Sequence, residues 1–447
     1  MSLSISKISK EKNNIFIILN SIIISLVPIC YMVGNSFLNL NITLILVSGI
    51  FLYFKGFRIK LNFIDKAIVF LFFFIIFNSI WNTIENYINE FNKDDYTVLL
   101  KSFLYLRYLI LYFAIRLFVD NNIINFKIIF FTYSALIFSV CIDIFYQFYN
   151  GKNLLGLVSP FPVKTTGIFY DEAIAGSFIQ RFSFFILYLF PIFFKFKKKI
   201  FLIILLCSVF SLVLASLYFS GNRMPFALFI LANILILVTT KTLRRNLIFI
   251  ILFFTLVFGS LIGTNKNFFN HYNAFFHYSL NILDVYKKRI IGEKREPNFL
   301  GTLVADPEGK KIPHHVMEFD TFYETWKMNP LIGGGIKSFR LLCPKRPVDP
   351  KLERTTCNTH PHNYYLEIFS EIGIVGFVIV FFIFFKIIYD FYFKFNNNVY
   401  KTLSSPFFYI FFIEAFPIKS SGSFFTTGNS LIIFLSMSFV VALVNKK

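Results

Sequence analysis

Runs of about 20 apolar residues recur along almost the whole chain, each long enough to cross a hydrocarbon core of roughly 30 Å. Nothing else in the sequence restricts the fold so strongly. A segment surrounded by lipid must satisfy every backbone N–H and C=O within the protein, so it is a helix or part of a closed barrel. The alternation of apolar and polar residues that marks barrel strands is missing. Length and apolarity predict about twelve spans, near 15–33, 37–54, 64–81, 98–118, 127–148, 177–194, 200–219, 225–240, 246–263, 373–393, 404–418 and 428–444. The predicted class is therefore all-α, a polytopic membrane protein. The chain is 56% hydrophobic and only 15% charged, whereas a soluble domain carries about a quarter charged residues. The first run, Ile15 to Val33, has no small-residue cleavage site and another span follows at once, so it reads as a span.

The net charge of +20 suggests a nucleic-acid binder until its distribution is read. Lys and Arg sit in short clusters between apolar runs, which is a topology signal. Lys55, Arg58, Lys60 and Lys66 form one cluster, Lys195 and Lys197 to Lys199 a second, Lys241, Arg244 and Arg245 a third, and Lys394 and Lys401 a fourth. Both termini carry Lys as well, at Lys7, Lys10 and Lys12 and at Lys446 and Lys447. The alternate connections hold few cations in short loops and include Glu85, Glu90, Asp94 and Asp95. The positive-inside rule then puts both termini in the cytoplasm. It puts 82–97, 149–176 and the long segment 264–372 outside. The chain accordingly divides into spans one to nine (1–263), a large external loop (264–372) and spans ten to twelve (373–447). A polar loop of that length with aromatic residues throughout is expected to fold, mostly as short helices. No nucleic-acid partner is expected.

Cys30, Cys141 and Cys207 fall inside spans, but Cys343 and Cys357 share the external loop. An external compartment permits a disulfide. A Cys343–Cys357 bridge closing a loop of about 15 residues would contribute roughly 3 kcal/mol.

Candidate chemistry gathers on the external side. Arg107 lies about six residues inside the external end of its span, and Arg181 lies near the end of another. Arg223 ends the turn Ser220-Gly-Asn-Arg223, Lys164 lies in the 149–176 loop, and Arg340 follows Gly333-Gly-Gly335. Together they could hold a phosphate or diphosphate, since a guanidinium binds oxygens in pairs. Snorkelling or ion pairing with Glu371, Asp171 or Glu172 would also account for them. The second cluster is Thr359-His-Pro-His-Asn363, leading into the tenth span. A neutral imidazole is a good general base, Asn363 can cap the helix that follows, and Pro361 stiffens the approach. A cap-and-turn sequence with incidental His is the plainer explanation. The His-x-His spacing lacks further ligands nearby, so no metal is expected.

These segments, in this order, resemble the O-antigen ligase and O-antigen polymerase superfamily of bacterial envelope glycosyltransferases. Thr166-Gly-Ile-Phe169 with Ala175-Gly176 resembles its loop after the fifth span, and Ser220-Gly-Asn-Arg223 its Ser-Arg turn. Trp326-Lys-Met-Asn-Pro330 with Leu-Ile-Gly333 resembles its Asn-Pro-Leu-x-Gly stretch. His360-Pro-His-Asn363 with Glu371-x-Gly373 resembles its most diagnostic motif. The resemblance implies a protein of the bacterial inner membrane that takes a glycan from undecaprenyl diphosphate at the periplasmic face. A ligase passes it to the lipid A-core and a polymerase to another lipid-linked unit, with inversion and with neither metal nor cofactor. By motif, His362 matches the catalytic base and His360 lies beside it. Arg223 matches the diphosphate-binding Arg, and Arg340 and Lys164 are further clamps, with Arg107 and Arg181 as candidates. Asn363 and Glu371 are supporting residues. The turn reads Gly-Asn-Arg where a Gly-Ser-Arg hydroxyl is often found, and Lys164 stands where the family often has Arg. The ligase reading is preferred to the polymerase, with a protein-glycosylating transferase as a lesser option. A flippase or transporter is the alternative of another class. It would place charged sites near the midplane and often show repeat symmetry, and neither is visible here.

Overall fold

The computed structural model describes residues 2–89, 93–194, 197–239, 269–275, 303–305, 311–347, 362–395, 397–419 and 422–446, with isolated positions between 248 and 360. The expected span 246–263, the cations Lys195, Lys241, Arg244, Arg245 and Lys447, and Thr359 and Pro361 lie outside the described residues. Six helices open the chain: α1 (Ser2–Ser25), α2 (Val27–Val33), α3 (Asn35–Phe54), α4 (Phe63–Asn89), α5 (Lys93–Asp120) and α6 (Phe126–Asn150). After a loop come α7 (Ala175–Phe193), α8 (Lys199–Phe219) and α9 (Arg223–Thr239). The polar segment contains a small antiparallel hairpin, β1 (Leu303–Ala305) and β2 (Lys311–Pro313), then α10 (His314–Met328) and the short α11 (Phe339–Leu342). Finally come α12 (Tyr364–Phe393), α13 (Asn398–Glu414) and α14 (Thr427–Val444).

Among the described residues, nine helices are long and apolar enough to cross a membrane, the first of them running through α1 and α2. The shorter apolar α9 occupies one more of the expected spans, and α13 lies over most of another. The most enclosed helices are α7 and α14. α14 packs on α13 and α5, and α7 packs on α6, α8 and α13. Phenylalanine fills much of this core, as in the stacked pairs Phe391–Phe408 and Phe407–Phe439, at 3.6 and 4.0 Å between centroids. Side chains such as Phe70, Phe73, Phe381 and Phe385 face outward, as lipid-facing residues do.

The boundary of the tenth span differs from the expectation. α12 begins at Tyr364, inside the segment assigned to the large loop, and is broken at Gly373, where φ is 66°. A break in a buried helix frees backbone groups that must find other partners. The chain from Pro330 to Gly335 supplies them. Ile374 N donates to Pro330 O (3.0 Å) and Val375 N to Leu331 O (3.1 Å), while Gly334 N and Gly335 N donate to Ser370 O (3.2 Å) and Glu371 O (2.8 Å). Two asparagines of α4 complete the joint, Asn78 to Glu371 O (3.1 Å) and Asn82 to Gly333 O (3.0 Å). A Cβ at Gly333 would lie 2.5 Å from the Glu371 carbonyl carbon and 2.6 Å from Gly373 N. The Asn-Pro-Leu-x-Gly and Glu-x-Gly segments are thus one structural joint, although 40 residues apart in the chain.

Gly333 has φ 73° and backbone on the far side, so Gly333→Ala meets both strain and overlap. The expected cost is about 1–3 kcal/mol. A thermal melt of detergent-solubilised protein should show a lower midpoint than wild type, and an unchanged midpoint would contradict the joint.

Candidate functional site

The loop after α6 is pressed onto the turn between α8 and α9. Thr165 N and Oγ1 both donate to Phe219 O, at 3.3 and 2.5 Å. Gly221 adopts φ 66°, and a Cβ there would stand 2.3 Å from Val163 O. This approach sets Lys164 beside Arg223, the first residue of α9. Burial, then the Arg223 charge, lower the Lys164 pKa below the usual lysine value. Asn222 binds the chain on its other side. Its Oδ1 accepts from Gly176 N (2.9 Å) and its Nδ2 donates to Ala173 O (2.8 Å). The amide that replaces the expected hydroxyl therefore ties the turn to the start of α7.

Arg181, one turn into α7, is buried. Its Nε donates to Glu414 Oε1 (2.9 Å), and its Nη2 donates to Glu414 Oε2 (3.2 Å) and to Asn429 Oδ1 (2.6 Å). Nη1 reaches Tyr31 Oη at 2.5 Å. Glu414 also holds Lys419 in an ion pair and accepts from Tyr364 Oη at 2.7 Å. The partner of Arg181 is therefore Glu414, not Asp171, Glu172 or Glu371. Those three were nearer in the chain or the motif, but Glu414 sits within reach only because α13 packs on α7.

The histidine pair stands at the head of α12. Asn363 caps that helix, its Oδ1 accepting from Tyr365 N (2.9 Å) and Leu366 N (3.2 Å), and its Nδ2 donating to Pro417 O (2.8 Å). His362 has φ 53°, a left-handed conformation that side chains other than Gly rarely take. Its ring lies 4.6 Å from that of His360. Its Nε2 is 3.9 Å from Oε1 of the buried Glu318, an ion-pair distance rather than a hydrogen bond. Glu318 in turn accepts from Asn358 Nδ2 at 2.6 Å. Burial and then the neighbouring His362 lower the His360 pKa, the charges of Glu367 and Glu318 opposing and that of Lys337 adding. The approach to the pair is fastened by a Cys343–Cys357 disulfide with 5.7 Å between Cα atoms. Arg346 braces it, donating to Cys343 O (2.7 Å) and to Glu324 Oε2 (3.2 Å).

A cavity of about 790 Å³ opens between these parts. Lys164, Arg181, Arg223 and Asn363 line it, with Met224, Phe275, Phe319 and Ile418 among its apolar walls, and no carboxylate occurs among its described lining residues. His362 is the chain neighbour of Asn363 and is not itself in that lining. Three expected residues are placed elsewhere. Arg107 bonds Tyr108 Oη (3.0 Å) and Thr427 Oγ1 (3.3 Å) and stacks on the Tyr108 ring. Arg340 is exposed on α11, its charge reaching the Glu371 carboxyl, which is buried and whose Oε2 has no hydrogen bond among the described residues. Glu318, Glu414, Lys419 and His271 did not stand out in the sequence. An acid within an apolar run is itself a signal, which would have flagged Glu414. Among the described residues, no three His, Cys, Asp or Glu groups are gathered to hold a metal ion.

Residues 208–381 match the family described as O-antigen ligase. The matched stretch contains Arg223, Arg340, His360, His362, Asn363 and Glu371, and stops short of Lys164, Arg107 and Arg181 on its N-terminal side. No curated protein matches the chain. The family match supports the resemblance to the O-antigen ligase superfamily and a ligase- or polymerase-type role on a lipid-linked glycan.

Glu414 serves two cations, so its loss strands both, whereas loss of Arg181 leaves the Lys419–Glu414 pair intact. Glu414→Gln should cost about 3–5 kcal/mol and more than Arg181→Gln. Equal melting midpoints for the two variants would refute the shared-carboxylate arrangement. His360 gives a second check. Its folded pKa lies below the unfolded value of 6.5, so the unfolded chain binds more protons between the two. Its stability contribution is complete above that value and is lost as pH falls through the folded one. Melting midpoints should decline from pH 7 towards pH 5, and less steeply in His360→Gln.

Proposed function

We propose that the protein transfers a glycan from an undecaprenyl-diphosphate carrier to a hydroxyl of the lipid A-core at the external face of the bacterial inner membrane, with inversion and without a metal. The observation that carries this reading is the cavity. Cations and no described carboxylate line it, its remaining walls are largely apolar, and it reaches Asn363 beside the histidine pair. Such a space suits an anion on an apolar tail. A nucleic acid or a free sugar would not call for both features.

In the proposed reaction, His362 takes the proton of the acceptor hydroxyl, and the oxygen attacks the anomeric carbon. The bond from that carbon to the diphosphate oxygen breaks, and the diphosphate lipid leaves with the electron pair. Arg223 and Lys164 stabilise the charge that develops on it, because fixed cations in a water-poor site need no reorganisation. Glu318 orients the His362 ring and stabilises its protonated form, the part a carboxylate plays behind a catalytic imidazole. Arg181 serves by shape and field, its guanidinium already engaged by Glu414. Arg340, exposed on α11 and apart from the cavity lining, takes no direct part. The polymerase reading shares every one of these steps and differs in the acceptor alone.

A deletion strain complemented with wild type, His362→Ala or Arg223→Ala tests the assignment through its envelope glycolipids. Removing a general base lowers turnover about 10²–10⁴-fold, so His362→Ala should abolish capping of the lipid A-core. Arg223→Ala should do the same. Caps of single repeat length in the deletion would indicate a polymerase. Unchanged glycolipids in both variants, each inserted at wild-type level, would end the catalytic assignment.

A further inference from the structure

Residues 269–275 form a helix outside every motif of the chain, and it closes one side of the cavity through Phe275. His271 stands one helical turn before Phe275; Phe275 and Ser279 line the cavity, and His271 stands just outside that lining, against the Arg223 turn. The helix grips the Arg223 turn at several points. The His271 ring nitrogen Nε2 lies 3.0 Å from Gly221 O, and Arg223 Nη1 donates to His271 O at 3.4 Å. The Arg223 guanidinium lies over the Phe275 ring at 5.4 Å. Tyr272 Oη donates to Tyr218 O at 2.8 Å, and the two rings stack at 4.7 Å. A carbonyl only accepts, so Nε2 carries the proton, and a neutral ring keeps its lone pair on Nδ1.

Among the described residues, the groups facing this ring are cationic or neutral. Lys164 faces it from the loop after α6, Arg223 from α9, and Tyr272 from its own helix, itself stacked on Tyr218 of α8. Burial, and then Arg223 and Lys164, lower the His271 pKa, against the Gly221 hydrogen bond that raises it. An anion in the cavity would reverse the sign of that field.

We propose that His271 is a proton acceptor beside the anion site, uncharged while the cavity is empty and protonated at Nδ1 when a prenyl diphosphate occupies it. The proton comes from solvent and returns to it when the ligand leaves. The inference rests on the cavity being a diphosphate-lipid site. Binding and protonation are then reciprocally linked: acid strengthens binding, and binding raises the histidine pKa. The linkage favours the released carrier over the glycosylated one. The free terminal phosphate carries one more ionisable oxygen than the same phosphate esterified to a sugar.

Calorimetry on the full chain in detergent tests this with farnesyl diphosphate as the probe. Titrations at one pH, in two buffers of different ionisation enthalpy, report the protons taken up. Wild type should take up more protons per ligand than His271→Gln, whose amide retains an N–H for Gly221 O. Its affinity should also rise by up to about tenfold relative to the variant between pH 8 and pH 6.5. The ligand's own titration, and that of every other group of the chain, are common to both proteins and cancel. Equal uptake with intact, Arg223-dependent binding would overturn the role of His271 and leave the cavity reading standing. If wild type fails to bind farnesyl diphosphate, or Arg223→Ala binds as well as wild type, the cavity reading falls and this one with it. Should His271→Gln not fold, ring ¹⁵N shifts of His271 in wild type, with and without the ligand, decide the matter. No shift towards imidazolium would refute it.

Discussion

Three helices and the strap after α13 meet on one carboxylate. Glu414 accepts from Arg181 of α7, from Tyr364 of α12 and from Lys419 just past its own helix. Arg181 extends the same network to Asn429 of α14 and to Tyr31 of α2. In a membrane interior there is little hydrophobic drive between helices, because lipid is as apolar as the side chains it replaces. Polar contacts therefore carry much of the specificity of which helix lies beside which. Here they converge directly beside the cavity, so the same bonds that arrange the bundle set the shape of the site wall. Two cations on one buried carboxylate also leave an excess of positive charge on that wall.

The second joint works in the opposite sense, through an interruption. At Gly373 the helix α12 stops being helical, and the chain from Pro330 to Gly335 accepts and donates the bonds that the helix gives up. The large polar segment is thereby attached to a membrane-spanning helix by backbone hydrogen bonds that tolerate few other residues. Glu367 reinforces it one turn above, holding Lys337 of the same segment at 3.0 Å. Such an attachment keeps the histidine turn, at the head of α12, in fixed relation to the cations that α7 and α9 carry. A base and a leaving-group clamp on separate segments need that fixity if they are to act on one bond.

Much of this was legible in the sequence, and the reason is physical. Apolar length is a local property, so the spans could be read without knowing their neighbours, and the described helices follow them closely. The start of α12 was misplaced by nine residues. The polarity of Tyr364 to Ile372 resembled a loop, and only its burial against α10, α13 and the Pro330–Gly335 strand of chain makes it helical. Motif order pointed to Lys164, Arg223 and Asn363, which do share a cavity. What could not be read was pairing across distance. Arg181 and Glu414 are 233 positions apart, and nothing local in either says which partner it has. Arg107 looked equivalent to Arg181 by depth in its span, yet it stacks on Tyr108 away from the cavity lining.

The cations at the site end are therefore not one set. Arg181 is engaged by a carboxylate and two neutral groups, so an arriving anion can borrow its field but gains little by direct bonding. Lys164 and Arg223 stand beside each other at the cavity, where burial and then the Arg223 charge lower the Lys164 pKa. Such mutual repulsion is unfavourable in the empty cavity and is relieved by any anion placed between them. The turn that carries Arg223 is held in place through Gly221 and Asn222, so the two cations keep their spacing. That is the physical sense in which the Ser-Gly-Asn-Arg turn and the loop pressed against it form one device. The hydrogen bonds from Thr165 to Phe219 O, 54 positions away, hold the two segments together against that repulsion.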